Sequence, residues 1–88
     1  MRIQVRRTGG FAGVERHGEV DTAGRPDAHE WQALAEKALA TGRGTPPPGV
    51  PDGFRYEITV DGRTVHAADP HLSDEQRRLI TRVLREGA

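Results

Sequence analysis

Hydrophobic and polar residues alternate along four short segments of the chain, a pattern typical of half-buried β-strands. Residues 2–7 place Ile3 and Val5 on one face, and residues 14–20 alternate in the same way. The glycine-rich stretch 8–13 separates these two segments, which predicts a hairpin loop between two strands.

The second pair of strands has the clearest pattern. Residues 54–60 alternate strictly and are followed by Asp61 and Gly62, the pair favoured in two-residue type I′ turns. Counting back from this turn places Ile58 opposite Val65. The same register pairs the polar residues of the other face, Glu57 with His66 and Thr59 with Thr64.

Two further segments have apolar residues at helical spacing. The first helix is predicted at about 27–41, with a capping-box spacing between Asp27 and Glu30 and a left-handed C-cap at Gly42. Its apolar stripe contains Trp31, which is therefore expected in the core rather than in a ligand site.

The second helix is predicted at about 74–86. Ser73 and Gln76 have the spacing of a capping box, and an apolar seam follows on one side of the segment. In the second strand, Gly18 interrupts the pattern and predicts a bulge or a close neighbour.

The order of the elements is therefore β-β-α-β-β-α. We expect one α+β domain over residues 1–88, with an antiparallel four-stranded sheet and both helices packed on one face as a second layer. Because the connections are short, the 42–53 loop should lie beside the 8–13 loop. The Asp61-Gly62 turn should lie at the opposite end of the sheet.

Composition restricts the function. The chain has 88 residues, no cysteine, 34% hydrophobic residues, and 13 basic against 13 acidic side chains. Disulfides, cysteine-bound zinc and thiol nucleophiles are excluded, and zero net charge disfavours a general nucleic-acid or membrane binder. No apolar run precedes the first strand. We expect a cytoplasmic protein that is a monomer when free.

The candidates for catalysis are few. Ser73 is the only serine and is explained as a helix cap. Glu57 opposite His66 fits either an acid–base dyad or an exposed ionic contact. The four histidines lack metal-ligand spacing. We therefore expect that the protein is not an enzyme and that it has no cofactor and no metal of its own.

The last helix carries a basic face formed by Arg78, Arg82 and Arg85. One interpretation is a solvated surface whose cations favour the C-terminal end of the helix dipole. The other is a binding face of a small accessory module that recognises nucleic acid or protein.

The two loops expected at one end of the sheet carry the best candidates for binding. Phe11 stands at the tip of a glycine-flanked loop, where it either folds back over the core or anchors in a partner's pocket. Val50, Pro51 and Asp52 lie in the proline-rich second loop. Asp52 either starts a turn before the third strand or offers its carboxylate to a partner.

Two stretches of the chain resemble the emfourin family. They are Arg6-Arg7-Thr8-Gly9-Gly10-Phe11-Ala12-Gly13-Val14 and Phe54-Arg55-Tyr56-Glu57-Ile58-Thr59-Val60-Asp61-Gly62. The resemblance covers nearly the whole chain. It implies a bacterial or archaeal protein inhibitor of protealysin-like proteases, which are zinc metalloproteases of the thermolysin family.

The resemblance also implies which residues bind the protease. Residues 9–13, with Phe11 and Ala12 as the apolar contacts flanked by Gly9, Gly10 and Gly13, would enter the substrate pockets. Val50, Pro51 and Asp52 would form the second loop, with the Asp52 carboxylate directed to the catalytic zinc. Asp21 and Asp61 are the alternatives for that carboxylate, and the expected loop positions favour Asp52.

Overall fold

A computed structural model describes residues 1–10, 15–44 and 53–87 of the chain. Its elements are β1 (Arg2–Gly9), β2 (Arg16–Asp21), α1 (Ala28–Thr41), β3 (Phe54–Val60), β4 (Arg63–Ala68) and α2 (Asp74–Glu86). The predicted order β-β-α-β-β-α and the α+β class are confirmed.

The sheet is open, antiparallel and four-stranded, in the order β2-β1-β3-β4. The two hairpins are joined in the middle by β1 and β3, which place Val5 opposite Ile58. The predicted pairing of Ile58 with Val65 and of Glu57 with His66 is confirmed. Strand alternation therefore points one apolar face of all four strands in the same direction.

A single core lies between this apolar face and both helices. The fully covered side chains from the strands include Ile3 and Ile58, and those from the helices include Trp31 and Leu79, each 0% exposed. Neither helix in the described segments has the length and apolar character needed to cross a membrane.

The turn after β3 lies at the end of the sheet where the chain begins. Asp61 and Gly62 have φ of 49° and 85°, positive as a type I′ turn requires. The backbone N–H of Arg2 donates to the Asp61 carboxylate (2.8 Å), and the Asp61 N–H donates to the Arg2 carbonyl (3.0 Å).

Strand β1 is longer than its alternation predicted. Thr8 and Gly9 were expected in the hairpin loop, but they are strand residues that pair with Arg55 and Phe54 of β3. The reason is that β1 is a central strand, so β3 continues the hydrogen-bonded ladder on that side after β2 has ended.

The predicted capping box of α1 is wrong. The Asp27 carboxylate makes no bond to a backbone amide of the first turn. It accepts hydrogen bonds from the indole Nε1 of Trp31 (3.1 Å) and from the guanidinium groups of Arg25 (3.0 Å) and Arg82 (3.4 Å). Bonds from cationic donors are stronger than those from neutral amides, and a buried indole N–H needs an acceptor.

The predicted left-handed cap at Gly42 is also wrong, because this residue is extended, with φ −82° and ψ 165°. The chain passes directly from α1 into a short antiparallel bridge between Arg43 and His66. A β-carbon at Gly42 would overlap the Val65 side chain, so glycine is needed here for close approach.

Both outer strands have a backbone neighbour on their open side. On β4, Arg43 and His66 exchange two N–H···O bonds of 3.2 and 2.7 Å. On β2, the Glu19 N–H donates to the carbonyl of Gly87, the C-cap residue that follows α2 (3.1 Å). The close neighbour that was predicted for Gly18 is this C-terminal end of α2.

We predict that Gly18→Ala destabilises the protein by about 1–3 kcal/mol, the usual cost of overpacking. A β-carbon at Gly18 would lie 2.7 Å from the Val83 carbonyl oxygen, which is fixed in helix backbone. Urea unfolding measures the loss. Gly44→Ala is the control, because a β-carbon there meets nothing within 4 Å. Equal stability of the two variants would contradict the close approach of α2 to β2.

We predict that the stability lost in Asp27→Asn depends on pH. Hydrogen bonds from Arg25 hold the pKa of Asp27 below its ordinary 3.8, with a further contribution from Trp31. The ionised carboxylate therefore stabilises the fold above the ordinary pKa, and this contribution is lost as the pH falls through the lower, folded-state value.

Thermal unfolding of both proteins between pH 7 and pH 2.5 tests this prediction. The difference in Tm should be constant near neutrality and shrink below about pH 4. Glu36→Gln, at an exposed carboxylate with no ion pair among the described residues, should show a small difference at every pH. A difference that grows on acidification would refute the assignment.

Candidate functional site

The stems of the two predicted binding loops meet at one end of the sheet. Gly9 pairs with Phe54, and the Gly10 N–H donates to the Gly53 carbonyl at 3.3 Å. The expected neighbourhood of the two loops is therefore observed at their stems. The remaining proposed contacts lie outside the described residues: Phe11, Ala12, Gly13, Val50, Pro51 and Asp52.

Phe54 holds this junction together. The Asp69 carboxylate accepts from the Phe54 N–H (3.2 Å), and the Phe54 carbonyl accepts from the Asp69 N–H (2.9 Å). The Arg7 guanidinium lies 4.2 Å from the centre of the Phe54 ring, a cation–π contact. Both stems are thus attached to one aromatic residue at the end of the central strand pair.

Gly10 fits under the Phe54 ring. It has φ +78°, a conformation that glycine adopts easily, and a β-carbon would overlap the ring. Gly10 was expected in the hairpin loop assigned to the protease and Phe54 in the third strand, and no contact between them was predicted. The two are contact partners although 44 positions separate them in the sequence.

The other stem of the second loop is attached to α2. The Thr41 hydroxyl is hydrogen-bonded to that of Ser73 (3.1 Å). Gln76 is 2% exposed, completes the predicted capping box with Ser73, and donates to the Ala38 carbonyl at 3.3 Å. The buried amide therefore ties the C-terminal turn of α1, where the loop begins, to the first turn of α2.

The alternative aspartates lie far from this junction. Asp21 pairs with Arg2 at the last position of β2, and Asp61 bonds to the backbone of the same Arg2. Arg2 begins β1, whereas Gly9 ends it. Both carboxylates are thus at the opposite end of the sheet from the loop stems.

The possible acid–base pair is part of the polar sheet face. Glu57 lies opposite His66 as predicted, and its carboxylate is 4.0 Å from the guanidinium of Arg6 in an exposed ion pair. Across residues 1–10, 15–44 and 53–87 no three histidine, aspartate or glutamate side chains are grouped closely enough to hold a metal ion.

The basic face of α2 is partly used within the fold. The Arg82 guanidinium lies 4.2 Å from the Trp31 ring centre and 3.4 Å from the Asp27 carboxylate, and it also pairs with Glu86 at 3.6 Å. Trp31 is a core residue, as predicted. Arg78 and Arg85 are exposed, so only part of the predicted face is open to a partner.

These features define a small α+β protein that presents two joined loop stems at one end of its sheet. The profile of the Emfourin family matches residues 5–84, and the chain belongs to this family. Membership suggests a metalloprotease-inhibitor role. No curated protein and no solved structure matches the chain.

We predict that Gly10→Ala destabilises the protein more than Gly24→Ala. The two glycines have nearly the same φ, +78° and +76°, so the backbone cost is shared. A β-carbon at Gly24 meets nothing within 4 Å, whereas one at Gly10 overlaps the Phe54 ring. The excess should be about 1–3 kcal/mol in urea unfolding. Equal losses would show that Phe54 does not pack on Gly10.

Proposed function

We propose that this protein inhibits a thermolysin-type, protealysin-like zinc metalloprotease by blocking its active site. The observation that carries the proposal is the backbone bond between Gly10 and Gly53 in a chain of the Emfourin family. This bond joins the stems of the two loops that the family resemblance assigns to the protease. Inhibition would be stoichiometric and would need no chemistry from the inhibitor.

The junction favours binding because it reduces the ordering cost. Two loops that leave adjacent positions of a hydrogen-bonded sheet lose less conformational freedom on binding than two independent segments. Gly9 and Phe54 are paired strand residues, so the loop that contains Phe11 and the loop that contains Asp52 start from fixed neighbouring points. One protease cleft would then receive both loops together.

The proposed chemistry of the second loop follows from the target's metal. A catalytic zinc keeps one coordination position for water or substrate, and a carboxylate oxygen can occupy it. Asp52 at this position would displace the nucleophilic water, while Phe11 and Ala12 would fill apolar substrate pockets. The far location of Asp21 and Asp61 supports the choice of Asp52.

Titration of a purified protealysin-like protease with this protein tests the proposal. At micromolar enzyme we expect activity to fall linearly and to vanish near an equimolar ratio. Full activity at a molar excess of the protein, with the protein shown to be folded by circular dichroism, would refute the proposed function for that protease class.

We predict that Asp52→Ala and Phe11→Ala each raise Ki about 30-fold, which corresponds to ~2 kcal/mol for a binding hot spot. Their Tm should stay close to that of the unchanged protein. Asp21→Ala, which removes an exposed carboxylate at the opposite end, should leave Ki unaltered. A large drop in Tm for Asp52→Ala would indicate a structural role of this aspartate instead.

A further inference from the structure

A cavity with a volume of about 500 Å³ lies between α2 and the end of the sheet where the loops leave. Its wall contains four arginines, Arg7 and Arg16 from the first hairpin and Arg77 and Arg85 from α2. No acidic residue lines it. We call this cavity the arginine pocket.

The base of the arginine pocket is apolar. It is formed by Tyr56 and Leu84, with Leu72 and Ile80 beside them. Burial raises the pKa of the Tyr56 phenol, and the nearby Asp69 carboxylate adds to this effect, so the phenol is neutral at physiological pH. A ligand that fits must therefore combine an apolar group with negative charge.

The arginines of this pocket have no carboxylate partner within 4 Å in the described part of the chain. Arg25 and Arg82 each contact carboxylates within 4 Å, as do Arg2 and Arg6. The four arginines of the pocket form no ion pair with any described carboxylate. In a chain with zero net charge, this leaves a local excess of positive charge beside the loop stems.

Arg7 adds an unsatisfied donor. Its Nε is buried and finds no hydrogen-bond acceptor among the described residues. A buried donor without a partner costs free energy, and the cost is larger on a charged group. The cation–π contact with Phe54 holds the guanidinium but offers Nε no acceptor. An incoming carboxylate would reach Nε only by displacing the side chains that cover it, so Arg7 contributes to the pocket through its charge.

The pocket lies beside the strand ends that flank the loop containing Phe11. Arg7 pairs with Arg16 as the last rung between β1 and β2, Arg16 is the first residue of β2, and β1 ends two residues after Arg7. A protease that engaged this loop would therefore have its surface close to these arginines.

We propose that the arginine pocket binds an acidic polypeptide segment with an apolar side chain, carried by the protease next to its active-site cleft. This inference rests on the function proposed above. An arginine guanidinium group binds a carboxylate through two parallel hydrogen bonds, and the apolar base of the pocket would contact the aliphatic or aromatic side chain of the segment. Nucleic acid fits less well, because it calls for an extended basic track rather than one half-open cavity with apolar side chains between its arginines.

The first experiment measures Ki of the double variant Arg16→Gln/Arg85→Gln against salt concentration. Both side chains are exposed, so the fold should persist, as circular dichroism will check. We expect Ki to rise at least 10-fold at 50 mM salt and its salt dependence to become shallower. Lys37→Gln/Arg63→Gln, which changes the net charge equally at exposed sites outside the pocket, should behave like the unchanged protein.

The outcomes separate this inference from the proposed function. Loss of inhibition in Phe11→Ala together with equal Ki values for the two double variants would overturn the pocket and leave the function intact. Absence of inhibition by the unchanged protein would overturn the function, and with it the protease as the pocket's partner.

The second experiment tests the chemistry of the pocket without a protease. We would titrate the free protein with the peptide acetyl-Asp-Glu-Leu-Glu-amide and follow the arginine Nε–H signals by NMR. Saturable shifts of Arg7 and Arg85, absent with the Gln-substituted neutral peptide, are expected. No shifts, or equal binding of the leucine-to-glycine peptide or of a single-stranded oligonucleotide, would overturn the proposed ligand class.

Discussion

The antiparallel pairing of β1 with β3 determines the rest of this structure. Each half of the chain is a hairpin followed by a helix, and the two halves meet along one ladder from Ile3–Val60 to Gly9–Phe54. The ladder aligns the apolar faces of both hairpins, so that two short helices can share one core. Because it is antiparallel, it also brings the end of β1 beside the start of β3. The loops that follow and precede these strands therefore emerge together.

The formal charges of this chain sum to zero, but they are distributed unevenly over the fold. Arg25 and Arg82 surround Trp31 and share Asp27 and Glu86, which fixes α1 against α2. On the exposed sheet face, Arg2 pairs with Glu19 of β2, and Arg6 pairs with Glu15, the residue before β2. None of these pairs includes an arginine of the pocket, so the positive charge of Arg7, Arg16, Arg77 and Arg85 stays unpaired within the described residues. Net charge alone gave no indication of this, since it carries no information on position.

Most of the architecture could be predicted from residue patterns. Alternation, the Asp61-Gly62 turn and the Ser73–Gln76 cap are local signals, and each specified its element correctly. The errors at Asp27 and Gly42 arose where other partners compete with helix capping. The Asp27 carboxylate bonds to the side chains of Arg25 and Trp31 and to Arg82, 55 positions away, and the chain after Gly42 pairs with a strand. The Gly10–Phe54 contact and the arginine pocket were missed for the same reason. They exist only once β1 and β3 are paired and α2 is packed, and no local pattern encodes them.

The backbone neighbours of β2 and β4 have a consequence for survival beside a protease. Proteases bind their substrates as extended chain that adds to a strand of the enzyme, and an unpaired sheet edge offers backbone in that form. Here the Gly87 carbonyl occupies one hydrogen-bonding position of β2 at Glu19, and Arg43 occupies the positions of His66 on β4. Within the described strands, an extended protease segment could not pair along the full length of either edge without displacing these contacts. The same two contacts disfavour edge-to-edge growth into fibrils.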